Sequence, residues 1–299
     1  MKKVIVTGAT GFIGRNFISK VTMRGVNVVA IVRDVTAAQV IFPSNARVHL
    51  VACSMENYAQ LPKLLPSDCY EAFYHFAWEG TTGQKRSDYI LQSHNAQYTC
   101  DALLVAKRLG CRRFITTGTI TENVAVESLS RHYTAENLIY GLAKLYAHKL
   151  VDIMAYREEM PYVWAKLSNI YGGDNRNGNL ISYAIKEIRS GRVPTFGPCQ
   201  QPYNFTYIDD VLNALQLLGE TATLPQTEYF ISNGDCRKLQ AYLESVAVQY
   251  DGRVAIGARE DDGVRYQERW FDNQVLLDIG FHPYYSFEAG LAAMKEAQR

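Results

Sequence analysis

The sequence predicts an α/β fold, a doubly wound parallel sheet with helices on both faces, followed by a smaller C-terminal α/β domain. Three observations predict it. Short apolar runs suited to buried strands, at 4–6, 26–32, 71–77, 113–115 and 163–167, alternate with segments whose apolar residues recur at helical spacing. The first run opens directly into a glycine-rich turn and a helix, the start of a β-α-β unit. The 299 residues, 47% hydrophobic and 20% charged, suffice for one large domain or two smaller ones around a sizeable core.

The opening unit reads Val4-Ile5-Val6 as strand, Thr7-Gly8-Ala9-Thr10-Gly11-Phe12-Ile13-Gly14 as turn, and Phe12, Ile13, Phe17, Ile18 and Val21 as the inner face of a helix. Glycines serve where the chain turns sharply, where it approaches a pyrophosphate and where helix meets strand, and the helix start offers free N–H groups to phosphate. Gly8, Thr10, Gly11, Phe12, Ile13, Gly14 and Arg15 therefore form a candidate dinucleotide site. The spacing is G-x-x-G-x-x-G, and the wording TGATGFIG resembles the extended short-chain dehydrogenase/reductase family, the group of nucleotide-sugar epimerases, dehydratases and reductases. The resemblance implies a Rossmann-type cofactor domain over 1–170 and 204–232 and a substrate-binding domain over 171–203 and 233–299. It also implies NADP or NAD as cofactor. After the second strand, Val32 stands where an acidic residue would hold the ribose of NAD, and Arg33 follows, so NADP is preferred, with Arg15 a second partner for its phosphate. Asp34 keeps NAD open. Phe76 and Ala77, in a segment similar to the family's "D-x-V-x-H-L-A", and Asn95 on the next long helix are further cofactor contacts by resemblance.

The chemistry rests on two pieces. Thr116-Thr117-Gly118-Thr119 follows the fifth strand, and Tyr140-Gly-Leu-Ala-Lys144 opens a helix. Residues i and i+4 share a helix face, so Tyr140 and Lys144 project together. A phenol has an ordinary pKa near 10, and a neighbouring ammonium lowers it towards useful acid/base work. By resemblance Tyr140 is the acid/base, Lys144 its electrostatic partner and a ribose ligand, and Thr119 hydrogen-bonds the reacting oxygen, with Thr117 as the fallback and a further cofactor contact.

Later segments resemble the family along essentially the whole chain. Asn169 lies in "N-x-Y-G", Asn179-Leu180 is similar to a step that holds diphosphate and sugar in UDP-galactose 4-epimerase, and Thr195-Phe196 resembles a strand walling the base. Asp209-Asp210 reads as a helix cap. Two departures bear on the substrate. Tyr203-Asn204 stands where many relatives carry a phosphate-clamping arginine, so that contact is missing or supplied elsewhere; Arg259 resembles a second phosphate-binding arginine of the family, with Arg265 and Arg176 as weaker candidates. No Asp-Glu pair follows Thr119, which disfavours dehydration; Glu122 is displaced and, with Trp78, is expected to contact the sugar. A nucleotide-activated sugar reacting at C4 by hydride transfer remains, either as keto-sugar reduction or as epimerisation. The alternatives are a reductase of a small non-nucleotide carbonyl compound and a catalytically silent NADP-binding regulatory protein.

The remaining indicators are mostly exclusions. Thirty-one Lys and Arg against 30 Asp and Glu leave a formal charge of +1, which argues against a nucleic-acid or membrane-surface partner. No apolar run reaches the roughly 18 residues of a membrane span. Six scattered cysteines without a C-x-x-C pair suggest free thiols in a cytoplasmic protein and no metal site. The family commonly forms homodimers through helices corresponding to about 88–109 and 135–157.

Overall fold

The computed structural model describes every residue except 44, 67, 174, 176–178, 298 and 299. Its elements in chain order are β1 (Lys3–Thr7), α1 (Phe12–Met23), β2 (Asn27–Val32), α2 (Val35–Ile41), β3 (Val48–Ala52), α3 (Leu61–Leu64), β4 (Ala72–His75), α4 (Tyr89–Arg108), β5 (Phe114–Thr119), α5 (Thr121–Ser130), α6 (Leu138–Arg157) and β6 (Tyr162–Leu167). There follow β7 (Asn169–Tyr171), α7 (Leu180–Arg189), β8 (Pro202–Tyr203), β9 (Phe205–Tyr207), α8 (Ile208–Glu220), β10 (Glu228–Ile231), β11 (Arg237–Lys238), α9 (Leu239–Gln249), α10 (Gln274–Asp278) and α11 (Phe287–Glu296). Seven strands form one sheet in the order β10-β6-β5-β4-β1-β2-β3, the doubly wound arrangement expected from the sequence.

Two compact units share the chain. The first comprises Met1–Glu122, Glu136–Lys166 and Leu215–Tyr229. Its strands β3, β2, β1, β4 and β5 pair in parallel, with Ile5 beside Val29 and Phe73, and Phe73 beside Phe114. A period of two places these four residues on one sheet face. There they pack with Leu103 and Ala106 of α4, Ala147 and Val151 of α6, and Trp164 of β6 in one buried cluster. Arg113, just before β5, is buried as well. Its guanidinium donates to the carbonyls of Leu218, Thr221 and Ala222, which receive a cation at the end of α8.

The second unit comprises Asn123–Ala135, Leu167–Ala214 and Phe230–Arg299. The expected boundaries differ from this division at 123–135, 167–170, 204–214 and 230–232. Hydrogen bonds give the reason. Tyr133 donates to the Asp262 carbonyl, Gln267 to the Glu127 carboxylate, and Asn204 to the Asn233 side chain and the Asp235 carbonyl. Asp210, read from the sequence as a helix cap, lies inside the first turn of α8 and serves a longer-range contact. Its buried carboxylate accepts the backbone N–H groups of Tyr284 and Tyr285, tying the start of α8 to the approach to α11.

Candidate active site

The glycine turn has the geometry a pyrophosphate requires. Gly8 sits at φ +64°, and a Cβ there would lie 2.6 Å from the backbone of both Phe76 and Ala77. Gly14 packs against the Gly8 carbonyl. The α1 start carries no side-chain cap and no acidic residue in its first turn, leaving its positive end to an anion. Arg15 lies with its guanidinium 5.7 Å from the Phe12 ring centre. Arg33 follows β2 with 75% of its side chain exposed, 3.9 Å from the Glu79 carboxylate. Asp34 caps α2 by accepting from the Ala37 N–H at 3.0 Å, so its carboxylate is committed to the helix. A bare helix start beside a glycine turn that admits no side chain fits the pyrophosphate of a dinucleotide.

The segment after β4 is pinned from α4 by two amides three residues apart. Asn95 accepts from the Glu79 N–H at 2.9 Å and donates to the Glu79 carbonyl at 2.8 Å. Gln92 donates to the carbonyls of Gly80 and Lys85 and accepts from the Trp78 indole N–H. Asn95, expected as a cofactor contact, holds this loop with its amide. Its side chain is fully buried and spends both polar ends on the loop. The sequence reading missed Gln92, although an i, i+3 pair of amides on one helix face is a legible signal.

Thr119, Tyr140 and Lys144 come together as expected. The Thr119 side chain lies beside the Tyr140 phenol, with its hydroxyl 3.1 Å from Thr121 Oγ1, and the Lys144 ammonium donates to the Thr117 carbonyl at 2.8 Å while lying 3.7 Å from the centre of the Trp78 ring. Thr117 thus contributes a carbonyl to the lysine. Burial pushes the Tyr140 phenol up to about 12; the Arg86 guanidinium, 4.3 Å above its ring, and the Thr119 hydroxyl pull downwards, while Glu122 pushes further up. Burial also lowers Lys144 to about 7, against a smaller opposing pull from the Glu122 carboxylate. The expectation that Lys144 lowers the phenol is therefore not met. Desolvation outweighs it, and the cation over Tyr140 is Arg86, a residue the sequence reading did not single out.

Glu122 departs from its expected role at the sugar. It is fully buried, and its Oε1 accepts from the Thr119 N–H at 2.8 Å and the Trp164 indole N–H at 3.1 Å. Gly118 makes this possible, since a Cβ there would collide with the Trp164 indole and the Glu122 carboxylate. Trp78, only partly buried, meets Tyr140 edge to face at 6.1 Å and remains beside the reacting group.

Within the second unit, Thr195, Phe196, Tyr183 and Arg259 cluster. The Arg259 guanidinium donates to Thr195 Oγ1 and to the Tyr183 hydroxyl, both at 2.8 Å, and Phe196 meets Tyr183 edge to face. Asn179 caps α7 by accepting from the Ser182 N–H and donates to the Ile170 carbonyl; Leu180, beside it, is half-buried. The Asn179 side chain, expected at the ligand, also fixes the start of α7. Asn169 donates to the Asn204 carbonyl, and Tyr203 is buried between Phe205 and Tyr266. Arg265 pairs with Asp261 at 2.7 Å, and Arg176 lies outside the described residues.

The fold has counterparts among solved structures, and the chain has relatives along nearly its whole length. CDP-abequose synthases of Salmonella typhimurium (strain LT2) and Salmonella muenchen are 25% and 22% identical to this chain, over 96% and 98% of it and 95% and 97% of their own lengths. The UDP-glucuronic acid 4-epimerase of Bacillus cereus, solved with UDP-glucuronic acid and NAD, superposes with a TM-score of 0.77 at 20% identity, covering 98% of both chains. The sequence pattern of the NAD dependent epimerase/dehydratase family matches residues 4–231, and this chain belongs to that family.

Proposed function

We propose that this enzyme reduces the C4 carbonyl of a CDP-linked keto-sugar, with NADPH preferred over NADH. The observation that carries the reading is the shared oxygen site made by Thr119 and Tyr140 above Lys144. A carbonyl oxygen placed there accepts a hydrogen bond from both hydroxyls. Tyr140, pushed up to about 12, holds its proton at neutral pH and acts as the acid, delivering it to the oxygen as the carbonyl carbon accepts a hydride. A reduced nicotinamide dinucleotide at the Gly8–Gly14 turn supplies that hydride. Lys144 secures the floor of the site through Thr117 and Trp78, and the Tyr140 proton is replaced from the surrounding groups or solvent.

The CDP-sugar class follows from the near full-length similarity to proteins that form CDP-abequose. Within the second unit, the Thr195–Tyr183–Phe196–Arg259 cluster offers a cation and aromatic edges to a nucleotide diphosphate. NADPH preference is supported by the exposed Arg33 and by the engagement of Asp34 in capping. Epimerisation is the second reading, supported by the likeness to 4-epimerases. Its oxidative half needs Tyr140 as a base, the same role that the reverse of the reductase reaction requires. A homodimer through α4 and α6 is supported by exposed Tyr89, Ile90, Tyr146 and Ile153 on those helices.

The test is to incubate the enzyme with CDP-abequose and NADP+ or NAD+, the reverse direction, and follow reduced nicotinamide by absorbance. Stoichiometric formation, faster with NADP+, is expected. Interconversion of CDP- or UDP-sugars without added cofactor would replace this reading with epimerisation.

A further inference from the structure

Beneath the reacting oxygen site lies a buried polar pair that the chemistry above leaves unused. Glu122 Oε1 is occupied by Thr119 and Trp164, but Oε2 has no well-aligned hydrogen-bond donor and is closed off from solvent. It faces His148 Nδ1 at 3.3 Å, itself buried and without an aligned partner, and Lys166 Nζ at 3.7 Å. On its far side, His148 Nε2 lies 3.6 Å from the carboxylates of Asp152 and Glu228, which are partly exposed. The imidazole stacks flat on Trp164, ring centres 4.5 Å apart and 2° from parallel. His148 continues the Tyr140–Lys144 stripe by one turn of α6, and Asp152 continues it by another.

Two buried ionisable groups this close, each short of a hydrogen bond, are costly unless they serve each other. We propose that Glu122 and His148 act as a coupled positioning pair. Glu122 fixes the backbone of Thr119, and with it the hydroxyl that orients the substrate oxygen. His148, flanked by three carboxylates, sets how firmly Glu122 is held and links the site to solvent through Asp152 and Glu228. The charged and titratable groups around the pair are Lys144 and Asp152 on α6, Lys166 on β6, Glu228 on β10 and Tyr162, which donates to Asp152.

This inference rests on the proposed reductase chemistry, so its test has one arm with turnover and one without. In the first, Glu122→Gln and His148→Phe, which keeps the stacking on Trp164, are assayed for oxidation of CDP-abequose by NADP+ across about pH 5 to 9. A slightly misplaced Thr119 predicts a fall in kcat of roughly tenfold to a hundredfold in Glu122→Gln, with NADPH affinity and KM nearly unchanged. His148→Phe should lower kcat in the same direction, and the double variant should lose little more than Glu122→Gln alone. In the second arm the folding stability of wild type, the two single variants and the double variant is measured without substrate by urea denaturation. Coupling predicts that the two single losses do not add in the double variant. Wild-type kcat in Glu122→Gln overturns the positioning role. Additive losses of stability overturn the coupling. If wild type fails to oxidise CDP-abequose, the substrate reading fails, and the denaturation arm still decides whether the pair is coupled.

Discussion

Replacing Lys144 with methionine tests the electrostatics of the site against stability. Lys144 is 4% exposed, and burial holds it at about 7 against its ordinary 10.5. That difference corresponds to a penalty of roughly 5 kcal/mol for keeping the charged form inside the fold. Methionine removes the penalty but also the contact with the Trp78 face and the hydrogen bond to Thr117, together about 2 kcal/mol. At about pH 6, where both folded and unfolded chains carry the ammonium, Lys144→Met should therefore be more stable by about 3 kcal/mol. Above about pH 7 the folded chain releases this proton while the unfolded chain retains it, so wild-type stability from this group rises with pH. By about pH 9 some 2.7 kcal/mol of the difference should have vanished, leaving the two proteins nearly equal. Urea denaturation followed by circular dichroism at several pH values measures this directly, because other titrations are common to both proteins. A stability difference that does not change between those pH values, or a variant less stable at the acid end, would refute the reasoning. Turnover should be lost in the variant at every pH.

Other substitutions probe the remaining parts. Tyr140→Phe should abolish turnover, more than a thousandfold, while NADPH titration by fluorescence shows affinity within a few-fold of wild type; substantial residual activity would remove the tyrosine from its role. Arg33→Ala should weaken NADPH by about tenfold and NADH hardly at all in the same titration, and equal losses would dissociate Arg33 from the extra phosphate. Gly8→Ala, forced into φ +64° against the Phe76–Ala77 backbone, should lower stability by about 2–4 kcal/mol in chemical denaturation and abolish cofactor binding. Asp210→Ala should cost about 3 kcal/mol by stranding the Tyr284 and Tyr285 amides, with kcat preserved in the folded fraction.

What the sequence made legible was local. Strands of the sheet, the turn around Gly8 and the Tyr140–Lys144 stripe each follow from a period or a spacing within a few residues, and all three appear in the fold. What it hid was long-range. Glu122 looked like a sugar contact because it follows Thr119 closely, yet its side chain turns to Trp164, forty-two positions away in the chain. Asn95 and Asn179 match functional asparagines by position, and the loop and cap hydrogen bonds that their amides make are defined only in the folded chain. The direction of the Tyr140 shift was also hidden, because desolvation depends on the packing around the phenol and not on the neighbour at i+4. Arg86 sits over that ring from a loop whose shape is set by Gln92.

Gly118 carries a meaning for how this sequence can diverge. No side chain can occupy that position while Trp164 and Glu122 remain, because the indole and carboxylate fill its space. Substitution there requires a smaller residue at 164, which would strip His148 of its stacking partner and Glu122 of a donor. Positions 118, 122, 148 and 164 should therefore change together among descendants of this chain or not at all, so that natural variation at Gly118 alone serves as a marker of lineages that have rebuilt the floor beneath Thr119.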